Sequence, residues 1–415
     1  MEKLKFGRYD LACMAAFIGY ALCSLSIPVS LVAMGKSLNF PLDRGGMAAG
    51  GVLHLTRSLA IVAALMVCGW IAGRIGKRKS MGLCTLLMGG GILLCALAPD
   101  YWFLLPFLLI AGFGEGICEG IATPFVQDLH SDAPERYVNI THSYWSIGIG
   151  VCVLGAGGLL TLGVSWRIVL AAAGVLTMLT SGLFLWKENP RKKYPDIRTA
   201  SSLTELKRVS AAIFRTPRFW LHCLAMFMGA GAEYCLTFWS AAYLQLTFEA
   251  SAWTAGLGTA AVGLGMFIGR NFFGLIARED NLRRNLIFAA SGTIPLILIL
   301  SFLTPEMIPS EPWLFGLLML VLTGCGIGIA PFWPTMQVYS VRQLPELDTT
   351  MMYIYLSAVG IPGCGFFTWI VGVLGDRFGL RGAFVLLPAT LICYILILLF
   401  DGRHYRKKAS GSPAA

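Results

Sequence analysis

The sequence predicts an all-α membrane protein: twelve transmembrane helices in two pseudo-symmetric six-helix halves. Three observations carry this. Of 415 residues, 56% are hydrophobic and only 13% charged, with mean hydropathy +0.71; a soluble chain carries roughly 25% charged residues. The apolar residues form long unbroken runs, as in Leu104–Ile110 and Ala383–Phe400. Such runs fit helices of about 20 residues crossing a hydrocarbon core, not the alternating pattern of barrel strands. The longest polar stretch, Lys187–Pro217, falls mid-chain and leaves six apolar segments on each side. A secreted disulfide domain and a soluble enzyme are thereby excluded.

Taken in order, the segments are 11–35, 46–73, 80–98, 101–127, 139–163 and 165–186 in the first half. The second half has 218–246, 252–277, 284–303, 313–341, 349–375 and 381–400. The first follows Met1–Asp10 and is too long for a signal-peptide core, so it is expected to be a retained helix. The domain expectation is a half at 1–190, a basic cytoplasmic linker at 191–217, and a half with a short cytoplasmic tail at 218–415.

With the N-terminus inside, all but seven of the 32 Lys and Arg residues fall on the cytoplasmic side. Lys36, Arg44, Arg167, Arg377 and Arg381 lie outside, and Arg57 and Arg270 lie within spans. This positive-inside bias sets both termini in the cytoplasm. The net charge of +10 is therefore topological, and no nucleic-acid partner is expected. The twelve cysteines all fall in apolar spans without a C-x-x-C or Cys/His cluster, so they read as small hydrophobes. No metal or cofactor is expected.

The halves show self-similarity. Gly112-Phe-Gly114-Glu-Gly116 in span four matches Gly324-Cys-Gly326-Ile-Gly328 in span ten at an offset of 212, and Gly148 in span five meets Gly360 in span eleven at the same offset. Parallel repeats enclosing a midplane site describe one large class of secondary transporter.

Charged groups within spans cost about 2.5–3.5 kcal/mol each on insertion scales and usually mark a pathway. Five qualify: Arg57 (span two), Glu115 and Glu119 (span four), Glu233 (span seven) and Arg270 (span eight). Glu115 and Glu119 are four apart and share one helix face. Two carboxylates that close in a low dielectric are expected to retain a proton, the chemistry of a proton-coupled carrier. Arg57 balances these acids, binds a substrate anion with its planar fork, or takes part in gating. Glu233, beside Tyr234, suits hydroxyl recognition; Arg270 is assigned to gating or helix ties. Asn139, His142, Trp145, Tyr20 and Gln337 are further candidates for substrate binding. Tyr144, Trp239, Trp333 and Tyr355 add aromatic surface.

The loop after span two, Gly69-Trp-Ile-Ala-Gly73-Arg74-Ile-Gly76-Lys77-Arg78, resembles the signature Gly-x-x-x-Asp-Arg-x-Gly-Arg-Arg/Lys of the major facilitator superfamily, with Gly73 at the acidic position. The resemblance implies the major facilitator fold and a gating or structural role for Arg74. Glu119-Gly-Ile-Ala-Thr123-Pro124-Phe125 resembles the fourth-helix Glu-Thr-Ala-Ala-Asn-Pro-Phe of the fucose/glucose/galactose-proton symporter group. So do the double-proline segment Ala330-Pro331-Phe332-Trp333-Pro334 and Asn139-x-x-His142 at the start of span five. That resemblance places the proton-coupling glutamate at Glu119. Two departures stand out: Thr123 replaces the usual Asn, and span one carries no acid between Leu11 and Gly35.

The expected activity is proton-coupled symport of a small polar solute, with a sugar or sugar derivative as the leading class, by alternating access to a central cavity. The expected setting is a bacterial inner membrane and the expected state a monomer. Organic-anion uptake, motivated by Arg57 and Arg270, and drug or metabolite efflux are the alternatives. Efflux is weakened by Leu154-Gly-Ala-Gly-Gly158, which lacks the proline of the efflux element. An enzyme would need a nucleophile with its base, or spaced metal ligands; the five scattered histidines offer neither.

Overall fold

Inside lipid every backbone polar group needs a partner within its own segment, so long apolar runs fold as helices. The computed structural model describes residues 6–130, 134–187, 193–195, 203–278, 280–308 and 310–410. Its helices are α1 (Arg8–Ser37), α2 (Met47–Ile75), α3 (Lys77–Leu97), α4 (Tyr101–Leu129), α5 (Pro134–Thr161) and α6 (Trp166–Leu185). After these come α7 (Leu203–Phe214), α8 (Pro217–Thr247), α9 (Ala252–Ile276), α10 (Leu282–Phe302), α11 (Glu311–Ile329), α12 (Pro334–Gln343), α13 (Thr349–Ala383) and α14 (Leu386–Ser410). Among the described residues, twelve stretches of helix are long and apolar enough to cross a membrane, α11 and α12 together forming one of them. No strand occurs among the described residues.

Among the differences from the sequence expectation, three have a local reason. Span ten is broken at residues 330–333, where the amide-less Pro331 and Pro334 end α11 and restart the chain as α12. Span eleven continues past 375, and Gly379 at φ +70° turns the chain before α14 begins at Leu386, five residues later than expected. The linker, expected only as a charged connector, contains α7. The loop after span two is a single residue, Gly76, at φ +83°. That conformation explains a glycine at this point of the signature.

The chain divides into two compact units: residues 1–200 with 238–260, and 201–237 with 261–415. In the first, α3 packs along α4 and α6, α2 along α4, and α1 along α5 and α6. Residues 238–260 belong to this core. Gly50 lies against the Trp239 ring, and a Cβ on Gly256 would sit 2.6 Å from the Val153 carbonyl oxygen. Close by, the Trp253 amide donates to Thr161 Oγ1 at 2.8 Å. In the second unit α10 packs along α11 and α14.

The glycines of spans four and ten explain the pairing. A Cβ on Gly112 would lie 2.5 Å from the Arg57 carbonyl oxygen, and one on Gly116 would lie 2.3 Å from that of Ile61, while Gly114 faces α3 at Met88. In the second unit Gly326 takes the place of Gly112, since a Cβ there would lie 2.2 Å from the Val262 carbonyl oxygen, and Gly328 faces α10 at Thr293. The packing register of this pair is therefore 214, two residues away from the offset suggested by the sequence. Gly116→Val is expected to reduce the yield of monodisperse protein several-fold, because backbone, not a flexible side chain, blocks the new carbon. Gly90, with nothing within 4 Å, provides the contrast. Gly90→Ala should leave yield unchanged and raise the unfolding midpoint slightly, given the roughly 1 kcal/mol helix preference of Ala over Gly.

Candidate functional site

Close approach of α2 to α4 at Gly112 brings Arg57 beside Glu115. Arg57 Nε lies 3.2 Å from Glu115 Oε2, with both side chains buried. The rest of the guanidinium is directed at α1: Nη1 donates to the Ser24 carbonyl at 2.9 Å and Nη2 to Ser24 Oγ at 2.8 Å. The fork thus ties three helices, and charge balance is the role this geometry supports. Glu119, one turn further along α4, is partly exposed whereas Glu115 is wholly buried. Tyr20 lies within electrostatic reach of Glu119, Glu115 and Arg57.

One more turn along α4, Thr123 Oγ1 shares a hydrogen bond of 3.1 Å with His142 Nε2 of α5, and Phe17 packs on the imidazole at 4.4 Å. The sequence departure at Thr123 is therefore matched by a specific partner. Trp145 is half-buried on α5; the side chain of Asn139 lies outside the described residues. Arg74 is exposed and stacks over the Trp70 ring at 4.6 Å. The neighbouring Lys77 pairs with Asp128 at 2.7 Å, which also accepts from the Tyr194 hydroxyl. An acid from the end of α4 thus meets the loop whose own acidic position is Gly73.

In the second unit Glu233 of α8 and Arg270 of α9 form an ion pair, Nη2 to Oε1 at 3.4 Å. Arg270 also borders a cavity of about 200 Å³ at the break in span ten, lined by Phe273, Ala330, Pro331, Thr335 and Val338. Gln337 Nε2 donates to Ser357 Oγ at 2.9 Å. Tyr355 shares its hydroxyl with Ser210 of α7 at 2.6 Å, so it serves the linker helix.

One cluster escaped sequence reasoning. Asp401, wholly buried, accepts from Arg218 Nε at 2.7 Å and Nη2 at 3.0 Å and from the Tyr339 hydroxyl, with His222 Nε2 at 3.3 Å. Arg218 also donates to Gln343. Arg218 reads as one more positive-inside residue and Asp401 falls one residue beyond an apolar run, so only the fold reveals the network. Asp401→Asn keeps the shape and removes the charge. It is expected to lower stability by about 1.5–3 kcal/mol, the range for hydrogen bonds to charged groups, measurable as a lower unfolding midpoint in detergent.

Twelve helical stretches long and apolar enough to cross a membrane among the described residues, with an ion pair within each of the two compact units, suit a solute carrier. The chain belongs to the Major Facilitator Superfamily, whose family model matches residues 12–364. Among solved structures it is similar to a D-xylose-proton symporter, with a TM-score of 0.72 at 12% identity, covering 95% of this chain and 96% of that one. It is also similar to the E. coli fucose:proton symporter, with a TM-score of 0.62 at 16% identity, covering 95% and 98%. A bacterial homologue of the human lysosomal transporter Spinster gives 0.72 at 17% identity, covering 99% and 100%. At these identities the likeness is one of fold. The chain is a multi-pass membrane protein of a transporter family.

Proposed function

We propose that this carrier is a proton-coupled symporter of a small polar solute, a sugar or sugar derivative being the leading class, and that Glu119 is its coupling site. One observation carries the reading: Arg57 lies within ion-pair distance of Glu115, while Glu119, on the same helix face, is the more accessible of the two acids. A carboxyl that trades its proton with water needs that access. Glu115 is then the balancing partner in the proton site.

Tyr20, His142, Trp145, Asn139, Glu233 and Gln337 are the proposed solute-binding groups, joined by Arg57 through its hold on Ser24 and Glu115. Arg270 and Arg74 are assigned to gating or structure. Both intramembrane arginines lie in ion pairs within their own units, which favours a neutral solute over an organic anion. The fold likeness to two sugar-proton symporters supports the same class. The proposed setting is a bacterial inner membrane with both termini inside, the protein acting as a monomer through alternating access of halves 1–190 and 218–415.

The test is reconstitution in liposomes with a lumenal pH indicator, screening sugars, amino sugars and sugar acids. A substrate gradient directed inward should acidify the lumen. A sugar that crosses without moving protons would end the coupling claim and turn attention to Na⁺ or facilitated diffusion. If no sugar crosses, organic anions follow, with Arg57 the next residue to replace.

A further inference from the structure

The linker helix α7 differs in kind from the membrane spans. Its residues Leu206, Val209, Ile213 and Phe214 fall on one side at helical spacing; Arg208 falls on the other, Lys207 flanks the stripe beside Phe214, and Arg215 follows directly after the helix. The spans, by contrast, are apolar nearly all round. Only part of the apolar stripe is covered by protein. Ile213 is buried, but Leu206 is 37% exposed, Phe214 43%, and the adjoining Trp220 51%. Lys207, Arg208 and Arg215 are all exposed.

The helix is nevertheless fixed in place. Trp220 Nε1 donates to the Phe214 carbonyl at 2.9 Å, and their rings stack at 5.8 Å. This binds the end of α7 to the first turn of α8, where a membrane span begins. Ser210 Oγ is 2.6 Å from the Tyr355 hydroxyl, and Phe214 packs on the same ring at 4.6 Å, which anchors the middle of α7 to α13. A short amphipathic helix held at the mouth of a span, with a tryptophan at its edge and cations flanking and opposite its apolar stripe, has the make-up of a helix lying in the membrane interface. The surrounding stretch, residues 187–217, carries eight cations against three acids.

We propose that α7 is an interfacial lipid-binding element in which Lys207, Arg208 and Arg215 take the phosphate of an anionic phospholipid headgroup while Leu206, Phe214 and Trp220 enter the acyl boundary. Charge complementarity selects the occupant, since each cation near an anionic surface adds attraction that a zwitterionic headgroup does not supply. Through Ser210 and Phe214 the occupied site is joined to Tyr355. The charge of the leaflet thereby reaches a transmembrane helix of the carrier. The inference goes beyond the transport reading and does not depend on the identity of the solute.

The test uses the full chain in detergent, mixed with equal amounts of phosphatidylglycerol and phosphatidylcholine of the same acyl chains, with bound lipid counted by native mass spectrometry. The wild type should retain phosphatidylglycerol over phosphatidylcholine by about tenfold or more, given three cations near one headgroup site. Lys207→Gln/Arg208→Gln/Arg215→Gln should lose most of that preference. Arg278→Gln/Arg284→Gln, which removes two exposed cations elsewhere in the second unit, should keep it. Should the triple variant lose monodispersity, each single change carries the same test, with a loss of up to roughly fivefold. Equal binding of the two lipids by the wild type would overturn the proposal. An unaltered preference in the α7 variants, or an equal loss in the Arg278/Arg284 control, would do the same. Binding in detergent is read whichever leaflet the helix meets, so an error in the proposed topology does not imitate a failure of this site.

Discussion

Glu119→Gln is expected to abolish substrate-driven proton movement while leaving exchange of labelled solute across the same liposomes. The amide keeps the size and much of the hydrogen bonding of the acid but cannot release a proton to either side. Net uptake driven by a pH gradient should fall by roughly 10²-fold or more, the order lost when a positioned proton-transfer group is removed. Exchange needs only a solute site that shuttles loaded, so it should persist. Glu115→Gln supplies the comparison. If that variant loses proton movement while Glu119→Gln retains it, the coupling role passes to the buried member of the pair.

The second large effect concerns the Arg57–Glu115 pair itself. Both side chains are almost wholly buried, and removing one partner leaves the other as an uncompensated charge. Arg57→Met and Glu115→Gln approach this from opposite sides. Arg57→Met strands a carboxylate on α4 and is expected to cost about 3–5 kcal/mol. Glu115→Gln leaves Arg57 its two bonds to Ser24 and should cost less. The double variant removes both charges and is expected to recover most of the stability, since a buried pair contributes little net of its desolvation. Unfolding midpoints in detergent for the four proteins form the cycle. A double variant as unstable as Arg57→Met would show that the arginine stabilises through Ser24 and not through the acid.

Much of the fold was legible in the sequence because hydrocarbon imposes a single rule on the backbone. Long apolar runs gave the spans, and the mid-chain basic stretch divided them. Arg57 and Glu115 could be expected near each other because both lie at mid-depth in helices of one half. The partner of Arg270 was less visible: Glu233, with Tyr234 beside it, reads from sequence as a group for solute hydroxyls, whereas the structure pairs it with Arg270 of α9. The glycine repeat misled by two residues for a plain reason. Glycines spaced two apart match themselves in several registers, and only the carbonyl each one faces, Arg57 for Gly112 and Val262 for Gly326, selects among them. Helix α7 was hidden by its setting, since its apolar residues are interrupted by Glu205, Lys207 and Arg208 and lie inside the mid-chain basic stretch. The Asp401 network was hidden by position, each member sitting at the rim of a span where charges are commonplace.

The arrangement around Arg57 also bears on how the chain is made. Arg57 precedes Glu115 by 58 residues, so at about 5–20 residues per second the arginine is synthesised some 3–12 s before its partner. During that interval the second helix must reside in the translocation machinery or the bilayer with a lone cation, at a penalty of about 2.5–3.5 kcal/mol. Ser24 is already synthesised, and its carbonyl and hydroxyl are the two acceptors that the finished protein still shows on the guanidinium. The first helix can therefore chaperone the second until the fourth arrives. On this view Ser24 is a timing device as much as a structural contact, and its loss should be felt during biogenesis before it is felt in the completed carrier.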